Sequence, residues 1–471
     1  MGGHGILVIL GLAGLITTPA AAAAASSSPR FEEAACTAPE LVGVARCGTV
    51  AVPERWDTGA GRVALKVVIL PARKPRPGAP ALFDLEGGPG LPSTKNAGFY
   101  LTEGALYWEG RDVILFDQRG TGGSGGLQCP ALQAAEAALR PMYPPKAVEA
   151  CREVLSARVD LTRYTTDDAA RDIEAVRAAL GHETIDINAL SYGTTLALRY
   201  MAREPTRVHA AVLTGLAPPQ AMPPRHHATA ADKALKLLIA DCRADAACAA
   251  SFPDIPGDLE RARARLAQAG GDPTPEVFME KIRTLMYAPG SARQLPELIH
   301  RAAGGDVSWL RQNAAAASGP AFAEGLYLSI TCAESLALMP YAAAAAKARA
   351  TAFGDYRLRR QREACRAWPT ARVRVESLGP SRAPVLLISG RLDPVTPPEW
   401  AAKLARSRPN TRQLTIREGG HVVDGLSGLD TCFDPLVVKF FETGALKALD
   451  ASCIADMRAP AFQLAAPAKG R

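Results

Sequence analysis

The feature of this 471-residue chain that most constrains its fold is a regular alternation of apolar strand-like runs with helical runs. The runs APALFDLEGGPG and RDVILFDQRG end in glycine turns, and a helical segment, DDAARDIEAVRAALG, follows them and ends at Gly181. The pattern continues with the strand-like run TIDINALSYG, a helix from Thr194 to Arg203, and the strand-like run VHAAVLTGLAPP. Such alternation is typical of a mostly parallel sheet with helices on both faces.

The pattern divides into two parts with an insertion between them. The first part, residues 26–217, opens with CGTVAVPERW and RVALKVVILPA, which alternate as paired antiparallel strands do. Residues 218–380 are Ala- and Arg-rich helical stretches with few strand-like runs, which predicts an inserted helical cap. Strand-like runs resume in residues 381–471. We therefore predict one α/β unit whose two parts flank a helical cap.

Residues 1–25 have the features of a secretory signal peptide. An apolar stretch from Ile6 to Ile16 is followed by small residues that offer several Ala-x-Ala cleavage sites. No Lys or Arg precedes this stretch, so an uncleaved anchor is the alternative. The stretch is nevertheless far shorter than the roughly 20 residues of a spanning helix. We predict export to the periplasm or the medium, with no stable membrane insertion after cleavage.

The cysteine content agrees with export, because all ten cysteines follow the expected cleavage point and their number is even. They fall in close successive couples, and short loops are the easiest to close, so we predict disulfides between sequential neighbours. Buried free thiols are the alternative, and a zinc site is not predicted because the chain has no Cys-x-x-Cys or His-Glu-x-x-His. The ten are Cys36, Cys47, Cys129, Cys151, Cys242, Cys248, Cys332, Cys365, Cys432 and Cys453.

The charge of the chain does not indicate nucleic-acid binding. A net charge of +7 is mild for this length, and only 6% of the residues are aromatic. The densest basic run, RLRRQREACR from Arg357 to Arg366, has helical spacing and includes Glu363. We interpret it as the solvated face of a helix rather than as a binding patch.

A serine stands at one of the strand-to-helix corners. In ALSYG, Ser191 occupies the serine position of a Gly-x-Ser-x-Gly-like elbow, with Ala189 in place of the first glycine and Gly193 as the second. A strand that turns straight into a helix brings neighbouring backbones close, so only small flanking residues fit, and the hydroxyl is exposed. A serine in this context is also a common helix N-cap. Other residues must distinguish a nucleophile from a cap.

An acid and then a histidine follow Ser191 in the chain order that this architecture uses. Asp393 lies just beyond the apolar strand of LLISGRLDPVTP, and His421 lies beyond the next strand, in LTIREGGHVV. A serine hydroxyl is a poor nucleophile unless an imidazole takes its proton and a carboxylate orients that imidazole. We therefore predict Ser191 as the nucleophile, His421 as base and then acid, and Asp393 as the orienting group.

Donors for a developing oxyanion are predicted in EGGPG, which follows an early strand. The glycine backbone can approach a ligand closely there, and the N–H groups of Gly88 and Tyr192 would form the oxyanion hole. A simple Gly-Pro turn is the alternative.

A second glycine-rich run, GTGGSG at residues 120–125, matches the dinucleotide pattern G-x-G-x-x-G. It is followed by GLQCP, which has a proline and no helical start, so NAD binding is not predicted. We interpret Asp117 and Arg119 as braces for this loop.

Six motifs follow one another along the chain: GGPG, DQRGTGGS, YTTDDAARDIEAVRAALG, SYGTTLALRYM, GRLDPVTPPEWA and GGH. Taken together and in this order, they resemble the motifs of α/β-hydrolase exopeptidases of the proline iminopeptidase and secreted tripeptidyl aminopeptidase type. The region around Cys432 and Cys453 looks like the C-terminal region of the tripeptidyl enzymes. The resemblance covers nearly all of the chain after the signal segment. It implies an α/β-hydrolase fold with a helical cap, a serine peptidase that releases N-terminal residues, and no metal or organic cofactor.

Two departures from that pattern bear on specificity. Glu86 stands where proline iminopeptidases carry His before GGPG, which argues against strict proline specificity, and Ala189 replaces the elbow glycine. An aminopeptidase must recognise a free ammonium, and a carboxylate of the cap can do so. Our candidate is Glu334, near an expected bridge between Cys332 and Cys365. The alternative is an exposed helix glutamate.

The sequence therefore predicts an exported serine hydrolase, most simply an aminopeptidase that releases N-terminal residues or short peptides. A carboxylesterase or lipase-like enzyme is the first alternative, because the three predicted residues specify acyl transfer and not the leaving group. A binding protein on the same scaffold is the second alternative. The expected partner is a peptide or small acyl substrate, and the oligomeric state is left open.

Overall fold

The computed structural model describes residues 1–3, 29–314, 322–373, 379 and 381–464. The predicted signal peptide lies outside the described residues, apart from its first three. Parts of the predicted cap, at 315–321 and near its C-terminal boundary, also lie outside them.

Nine strands in the described part of the chain form one sheet. They are β1 (Phe31–Ala34), β2 (Arg46–Val52), β3 (Val63–Leu70), β4 (Ala81–Leu85), β5 (Val113–Phe116), β6 (Ile185–Leu190), β7 (Val208–Thr214), β8 (Val385–Gly390) and β9 (Thr411–Ile416). Their order across the sheet is β1-β2-β3-β5-β4-β6-β7-β8-β9. Strands β1, β2, β3 and β5 pair antiparallel, and every pair from β5 to β9 is parallel. The predicted α/β class, with its antiparallel opening, is confirmed.

Helices cover both faces of the sheet and fill the insertion. Those in the described residues are α1 (Ala97–Leu101), α2 (Pro130–Ala137), α3 (Pro145–Ser156), α4 (Thr166–Ala179), α5 (Tyr192–Arg203), α6 (His227–Ala244), α7 (Ala246–Ser251), α8 (Ile255–Ala269), α9 (Pro275–Leu285), α10 (Pro289–Ala292), α11 (Leu295–Ala303), α12 (Ser308–Ala314), α13 (Glu324–Thr331), α14 (Tyr341–Arg349), α15 (Tyr356–Ala367), α16 (Pro398–Ser407) and α17 (Asp434–Thr443). Helices α2 and α3 and strand β1 were not expected from the sequence pattern.

The central strands form because their sequences are apolar on both faces. All residues of β4, β5 and β8 are buried, as expected for parallel strands covered by helices on each side. Helix α4 begins where the side chain of Thr165 accepts a hydrogen bond from the N–H of Asp168 at 3.1 Å, and the chain leaves it at Gly181, which has φ 78°. Local capping thus sets the length of the helix that precedes β6 and packs against α5 and β2.

The inserted segment consists of helices, but its two halves pack differently. Between β7 and β8, all regular elements in the described residues are helices or helical turns. Most buried apolar residues of its first half, such as Leu238, Ile282 and Leu298, lie in a second cluster that Leu392 of the α/β unit also joins. Its second half, by contrast, contributes Leu328 and Trp368 to the main cluster beneath the sheet. The boundaries 218–380 stay a prediction, and the later helices share the core of the α/β unit.

All ten cysteines are paired as sequential neighbours. The disulfides are Cys36–Cys47, Cys129–Cys151, Cys242–Cys248, Cys332–Cys365 and Cys432–Cys453. The structure thus agrees with the predicted pairing, and each bridge closes a short loop.

No single helix in the described ranges is long and apolar enough to cross a membrane. One bent pair, Glu324–Leu336 with Tyr341–Arg349, reaches the required length and composition only when both members are taken together, across a bend of 103°.

Helix α5 packs unusually close to the end of β4. A Cβ atom added at Gly193 would overlap the carbonyl oxygen of Leu85, and it would lie 2.8 Å from the carbonyl carbon of Leu85 and 3.0 Å from the carbonyl oxygen of Glu86. These are backbone atoms, which cannot swing aside as the tip of a side chain could. Gly193 therefore sets the distance between α5 and β4.

We expect Gly193→Ala to lower the free energy of unfolding by roughly 3 kcal/mol or more, because the added methyl group forces two backbone segments apart. Urea unfolding followed by circular dichroism would measure the loss. Gly98→Ala is the matched control, since Gly98 lies in α1 and an added Cβ there meets no atom within 4 Å. Equal stabilities for the two variants would contradict the prediction.

Candidate active site

Ser191 lies at the corner between β6 and α5 in a strained backbone conformation. Its φ is 55° and its ψ is −120°, a combination that residues with a Cβ rarely adopt. The Ser191 amide donates to the carbonyl of Thr214 at 2.9 Å, and the Ser191 carbonyl accepts from the N–H of Thr194 at 2.9 Å. The side chain makes no capping hydrogen bond to α5. The alternative that Ser191 is an ordinary helix N-cap is therefore wrong.

The Ser191 side chain lines a cavity of about 710 Å³ between the α/β unit and the inserted helices. A Cβ added at Gly87 would lie 3.0 Å from the Cβ of Ser191, so the EGGPG turn passes directly beside the serine. Within the described residues, the Ser191 hydroxyl makes no hydrogen bond. It is therefore available to a ligand in the cavity.

Asp393 follows β8, His421 follows β9, and the two side chains are hydrogen-bonded. The distance between His421 Nδ1 and Asp393 Oδ2 is 2.9 Å. The other carboxylate oxygen, Oδ1, accepts from the backbone N–H groups of Val395 and Thr396, each at 2.8 Å. Both side chains are buried. An Nδ1–H that donates to the carboxylate leaves Nε2 as the unprotonated nitrogen of the neutral ring.

Thr396 completes this group, although the sequence pattern did not single it out. Its hydroxyl donates to Asp393 Oδ2 at 2.6 Å and lies 3.1 Å from His421 Nδ1. The carboxylate of Asp393 thus has hydrogen-bond partners at both oxygens, which restricts its rotation. The only signal in the sequence is the position of Thr396 within the turn DPVTP.

Tyr287, from the inserted segment, holds the backbone of His421. Its carbonyl accepts from the N–H of His421 at 2.7 Å and from that of Val422 at 3.0 Å. The two rings meet edge to face, with centroids 5.0 Å apart. A Cβ added at Gly215 would lie 3.0 Å from His421 Cε1, so the residue after β7 packs against the imidazole. Sequence reasoning missed Tyr287 because it comes from a connection between cap helices.

The structure brings the three predicted residues to one place. Ser191 and His421 line the same cavity, and Asp393 lies behind His421. The structure has no direct hydrogen bond between the Ser191 hydroxyl and His421 in the described residues. Such bonds are often long without substrate and shorten when it binds.

Gly88 and Tyr192 both line the cavity next to Ser191. Gly88 has φ 109° and precedes a cis peptide bond to Pro89. Tyr192 is the first residue of α5, where N–H groups have no acceptor within the helix. Their use as oxyanion donors stays a prediction.

Glu86 braces the turn in which Gly88 lies. Its Oε2 accepts from the N–H of Gly87 at 2.8 Å, and its Oε1 accepts from Asn96 Nδ2 at 2.8 Å. Lys95 Nζ lies 3.4 Å from the same Oε1. The residue that departs from the proline iminopeptidase pattern therefore has a supporting role under the turn.

The two residues interpreted as braces of the second glycine-rich loop differ in what they hold. Asp117 accepts from the N–H of Gly123 at 2.8 Å and from that of Thr94 at 3.0 Å, so it links this loop to the segment after EGGPG. Arg119 instead forms a buried ion pair with Asp172 of α4, at 2.6 Å. Its contribution is to join the loop to a helix behind the sheet.

Glu334 lies in a π-helical turn, Cys332–Leu336, and lines the cavity. Its two carboxylate oxygens accept from the N–H and the hydroxyl of Thr166, each at 2.6 Å, and that hydroxyl lies 3.0 Å from the hydroxyl of Tyr192. Burial raises the pKa of Glu334, and the hydrogen bonds from Thr166 oppose that rise. The alternative of an exposed helix glutamate is therefore wrong.

The interpretation of the basic run as a solvated helix face is wrong for its first member. Arg357 faces the cavity and pairs with Glu280, whereas Arg359 is exposed. Two adjacent histidines, His226 and His227, also line the cavity. Nothing in their sequence context distinguishes them, because only the packing of α6 against other cap helices places them there.

Comparison with known proteins agrees with this architecture. A model described as the alpha/beta hydrolase fold matches residues 85–247, and a model described as TAP-like protein matches residues 350–453. With the observed sheet order, these matches show that the chain has the α/β-hydrolase fold.

Proteins similar in sequence to this chain include two named peptidases. The serine protease Hip1 of Mycobacterium tuberculosis is 30% identical over 228 residues, which are 44% of this chain and 44% of Hip1. The tripeptidyl aminopeptidase of Streptomyces coelicolor is 26% identical over 477 aligned positions, covering 87% of this chain and 83% of that protein. A proline iminopeptidase structure from Mycobacterium smegmatis is 18% identical, with coverage of 85% and 99% and a TM-score of 0.44. The chain spans less than half the length of the curated relatives that it matches at 30% identity.

Asp84, two residues before Glu86, has an electrostatic environment that predicts a pH effect on stability. Burial raises its pKa to about 7, and the nearby charge of Glu86 adds to the rise. Between its ordinary pKa and about 7, the folded protein therefore holds a proton that the unfolded chain has released. Stability must fall as the pH rises through this window, by up to about 1.4 kcal/mol per pH unit.

We expect Asp84→Asn to remove this dependence, because an amide does not titrate. The free energy of unfolding of the native protein, relative to Asp84→Asn, should fall as the pH is raised from about 5 to about 7 and should level off above that. Urea unfolding of both proteins across that range provides the measurement. Parallel pH profiles would show that Asp84 is already ionised at low pH.

Proposed function

We propose that this α/β hydrolase is a serine hydrolase in which Ser191 is the nucleophile, His421 the base and then the acid, and Asp393 the orienting carboxylate. The observation that supports this proposal best is the shared cavity. It is lined both by a hydroxyl on a strained strand-to-helix corner and by the imidazole that is bonded to a buried carboxylate. The order of the three residues in the chain is also the one used by this architecture.

The proposed reaction begins when the Ser191 oxygen attacks a carbonyl carbon of the substrate. The hydroxyl proton passes to Nε2 of His421, and the imidazolium that forms is stabilised by Asp393 through Nδ1. The carbonyl oxygen becomes an oxyanion and accepts from the N–H groups of Gly88 and Tyr192. Each such donor contributes roughly 3 to 4 kcal/mol to the stabilisation of the transition state.

Collapse of the tetrahedral intermediate breaks the bond to the leaving group, which takes the proton from His421 and departs. The acyl group is then an ester of Ser191. A water molecule gives a proton to His421 and attacks the ester, and the same proton returns to Ser191 when the acid is released. Atoms and charges balance over the two half-reactions without a metal or a redox partner.

The proposed substrates are peptides with a free amino terminus, from which one residue or a short peptide is released. Glu334 supports this because its carboxylate lines the cavity and is joined through Thr166 to Tyr192, the neighbour of Ser191. An ammonium group at Glu334 would form a charge-assisted hydrogen bond with this carboxylate. The similarity to a tripeptidyl aminopeptidase over most of both chains also supports the proposal.

Export is proposed from the cysteine pairing and the N-terminal sequence. Five disulfides are expected of a protein that folds in an oxidising compartment, the periplasm or the external medium. The N-terminal stretch has the composition of a cleavable signal. Detection of the processed chain outside the cytoplasm would test this.

We expect Ser191→Ala to lower kcat on amides of free-amine tripeptides by a factor on the order of a million, because no other group can form the acyl-enzyme. Initial rates of p-nitroaniline release would measure the effect. Ser407→Ala is the control, since its hydroxyl bonds only the carbonyl of Leu404 within α16 and should leave the rates unchanged. Retention of full activity in Ser191→Ala would refute the assignment of the nucleophile.

We expect Glu334→Gln to lower kcat/KM for free-amine substrates by about ten- to a hundredfold, because a charge-assisted hydrogen bond to the ammonium is lost. Rates on the N-acetylated forms, already low, should change little. Glu363→Gln, at a half-exposed glutamate of α15 that pairs with Arg360, is the control. Equal hydrolysis of free and acetylated peptides by the native protein would contradict recognition of the amino terminus. Hydrolysis of simple esters but not of peptides would favour the esterase alternative, and hydrolysis of neither would favour a binding protein.

A further inference from the structure

A cluster of two arginines and one glutamate forms part of the cavity wall. Glu280 and Arg283 lie on α9, and Arg357 lies on α15. Glu280 Oε2 accepts from Arg283 Nε at 3.1 Å and from Arg357 Nε at 2.8 Å, and Arg357 Nη2 lies 2.8 Å from the same oxygen. All three residues line the cavity that contains Ser191 and His421.

The cluster carries an excess positive charge in a poorly solvated position. Both guanidinium groups are protonated at any physiological pH. Burial acts to raise the pKa of Glu280, but the charges of Arg357 and Arg283 outweigh it and lower that pKa to about 2. Two cations thus share one anion, with the Arg283 side chain only 4% exposed and that of Arg357 16% exposed. A partly buried excess charge is costly unless an anion approaches it.

The cluster retains hydrogen-bonding capacity that faces the cavity. In the described residues, Nη1 of Arg357 has no hydrogen-bond partner. His227, on the same wall, is buried, and its Nδ1 atom likewise has none. Burial, together with the charges of Arg283 and Arg357, lowers the pKa of His227 well below its ordinary value, so the ring is neutral. Unsatisfied buried polar atoms of this kind are uncommon and usually have a ligand or a water as partner.

The cluster and Glu334 connect to different parts of the reaction centre. Arg283 Nη1 donates to the hydroxyl of Tyr287 at 2.6 Å, and the ring of Tyr287 packs against His421. Glu334, in contrast, connects through Thr166 to Tyr192, on the side of the oxyanion donors. The cavity therefore has an anionic group and a cationic cluster associated with different members of the proposed reaction centre.

We propose that Arg283 and Arg357, with His227 beside them, form a subsite for a carboxylate group of the substrate. This inference rests on the proposed function and deepens it: the preferred substrates carry an anion as well as a free ammonium. The carboxylate can belong to an acidic side chain or to the free C-terminus of a short peptide. In either case Arg357 Nη1 can donate to the carboxylate, and His227 can donate to it in the tautomer that carries the proton on Nδ1.

The competing explanation is structural, since an Arg–Glu–Arg cluster can serve only to hold α9 against α15. The two explanations differ in what a substitution changes. Loss of a purely structural contact affects all substrates in proportion, whereas loss of a subsite affects the ratio of rates on charged and neutral substrates.

The test compares kcat/KM on two matched series for the native protein, Arg357→Gln and a control, Arg359→Gln. One series contains free-amine tripeptidyl p-nitroanilides with Glu or Gln at each position in turn, and the other contains pentapeptides with a free or an amidated C-terminus. Arg359 lies on the same helix but is exposed and pairs with Asp355. In one of the two series, we expect kcat/KM to be about tenfold or more higher for the substrate with the carboxylate than for its neutral counterpart, in both the native protein and the control. In Arg357→Gln this ratio should fall towards one.

A direct binding measurement separates this inference from the proposed function. Calorimetric titration with glutarate, compared with glutaramide, reports carboxylate binding without any turnover. If no peptide is hydrolysed but glutarate binds the native protein at least tenfold more tightly than Arg357→Gln, the peptidase proposal fails and the subsite is supported. If peptides are hydrolysed with no carboxylate preference in either series and glutarate does not bind, the subsite is refuted and the peptidase proposal stands.

Discussion

The corner at which β6 turns into α5 is the constraint on which the rest of the structure depends. Ser191 adopts a left-handed φ there because its backbone is bonded on one side to β7 and on the other to the first turn of α5. Small residues permit this conformation, since Gly193 lets α5 approach the end of β4 and Gly87 lets the EGGPG turn pass beside the serine. The hydroxyl therefore faces the cavity rather than capping its helix.

The residues around His421 show how a reactive group is positioned by parts of the chain that are far apart in sequence. Its imidazole is oriented by Asp393 and Thr396 after β8, while its backbone is bonded to Tyr287 from the inserted segment. Gly215, just after β7, lies against the ring and leaves no room there for a side chain. The α/β unit supplies the three proposed catalytic residues, and the inserted segment holds the backbone of one of them.

The sequence was sufficient to predict the features that depend on where strands end and turns begin. Ser191, Asp393 and His421 each follow an apolar strand, and parallel strands bring their carboxyl ends to one edge, so chain order alone indicated a shared site. The disulfides were predictable because each closes a short loop. The role of Arg357 was not, because its helical spacing is the same as that of exposed Arg359, and only the packing of α9 against α15 buries one and not the other. Tyr287, Glu280 and His227 were missed for the same non-local reason.

The uneven packing of the inserted helices has a mechanical consequence. Helix α13 and the end of the segment after α15 contribute side chains to the core beneath the sheet, and the bridge Cys332–Cys365 ties them together. Displacing them would expose that core. The helices from α6 to α11 contribute mainly to a second apolar cluster, which also contains Leu392 next to Asp393, and the carbonyl of Tyr287 between α9 and α10 accepts from the N–H of His421. A shift of the earlier helices would therefore disturb His421, whereas Glu334 follows a helix that is anchored in the main core and would keep its position.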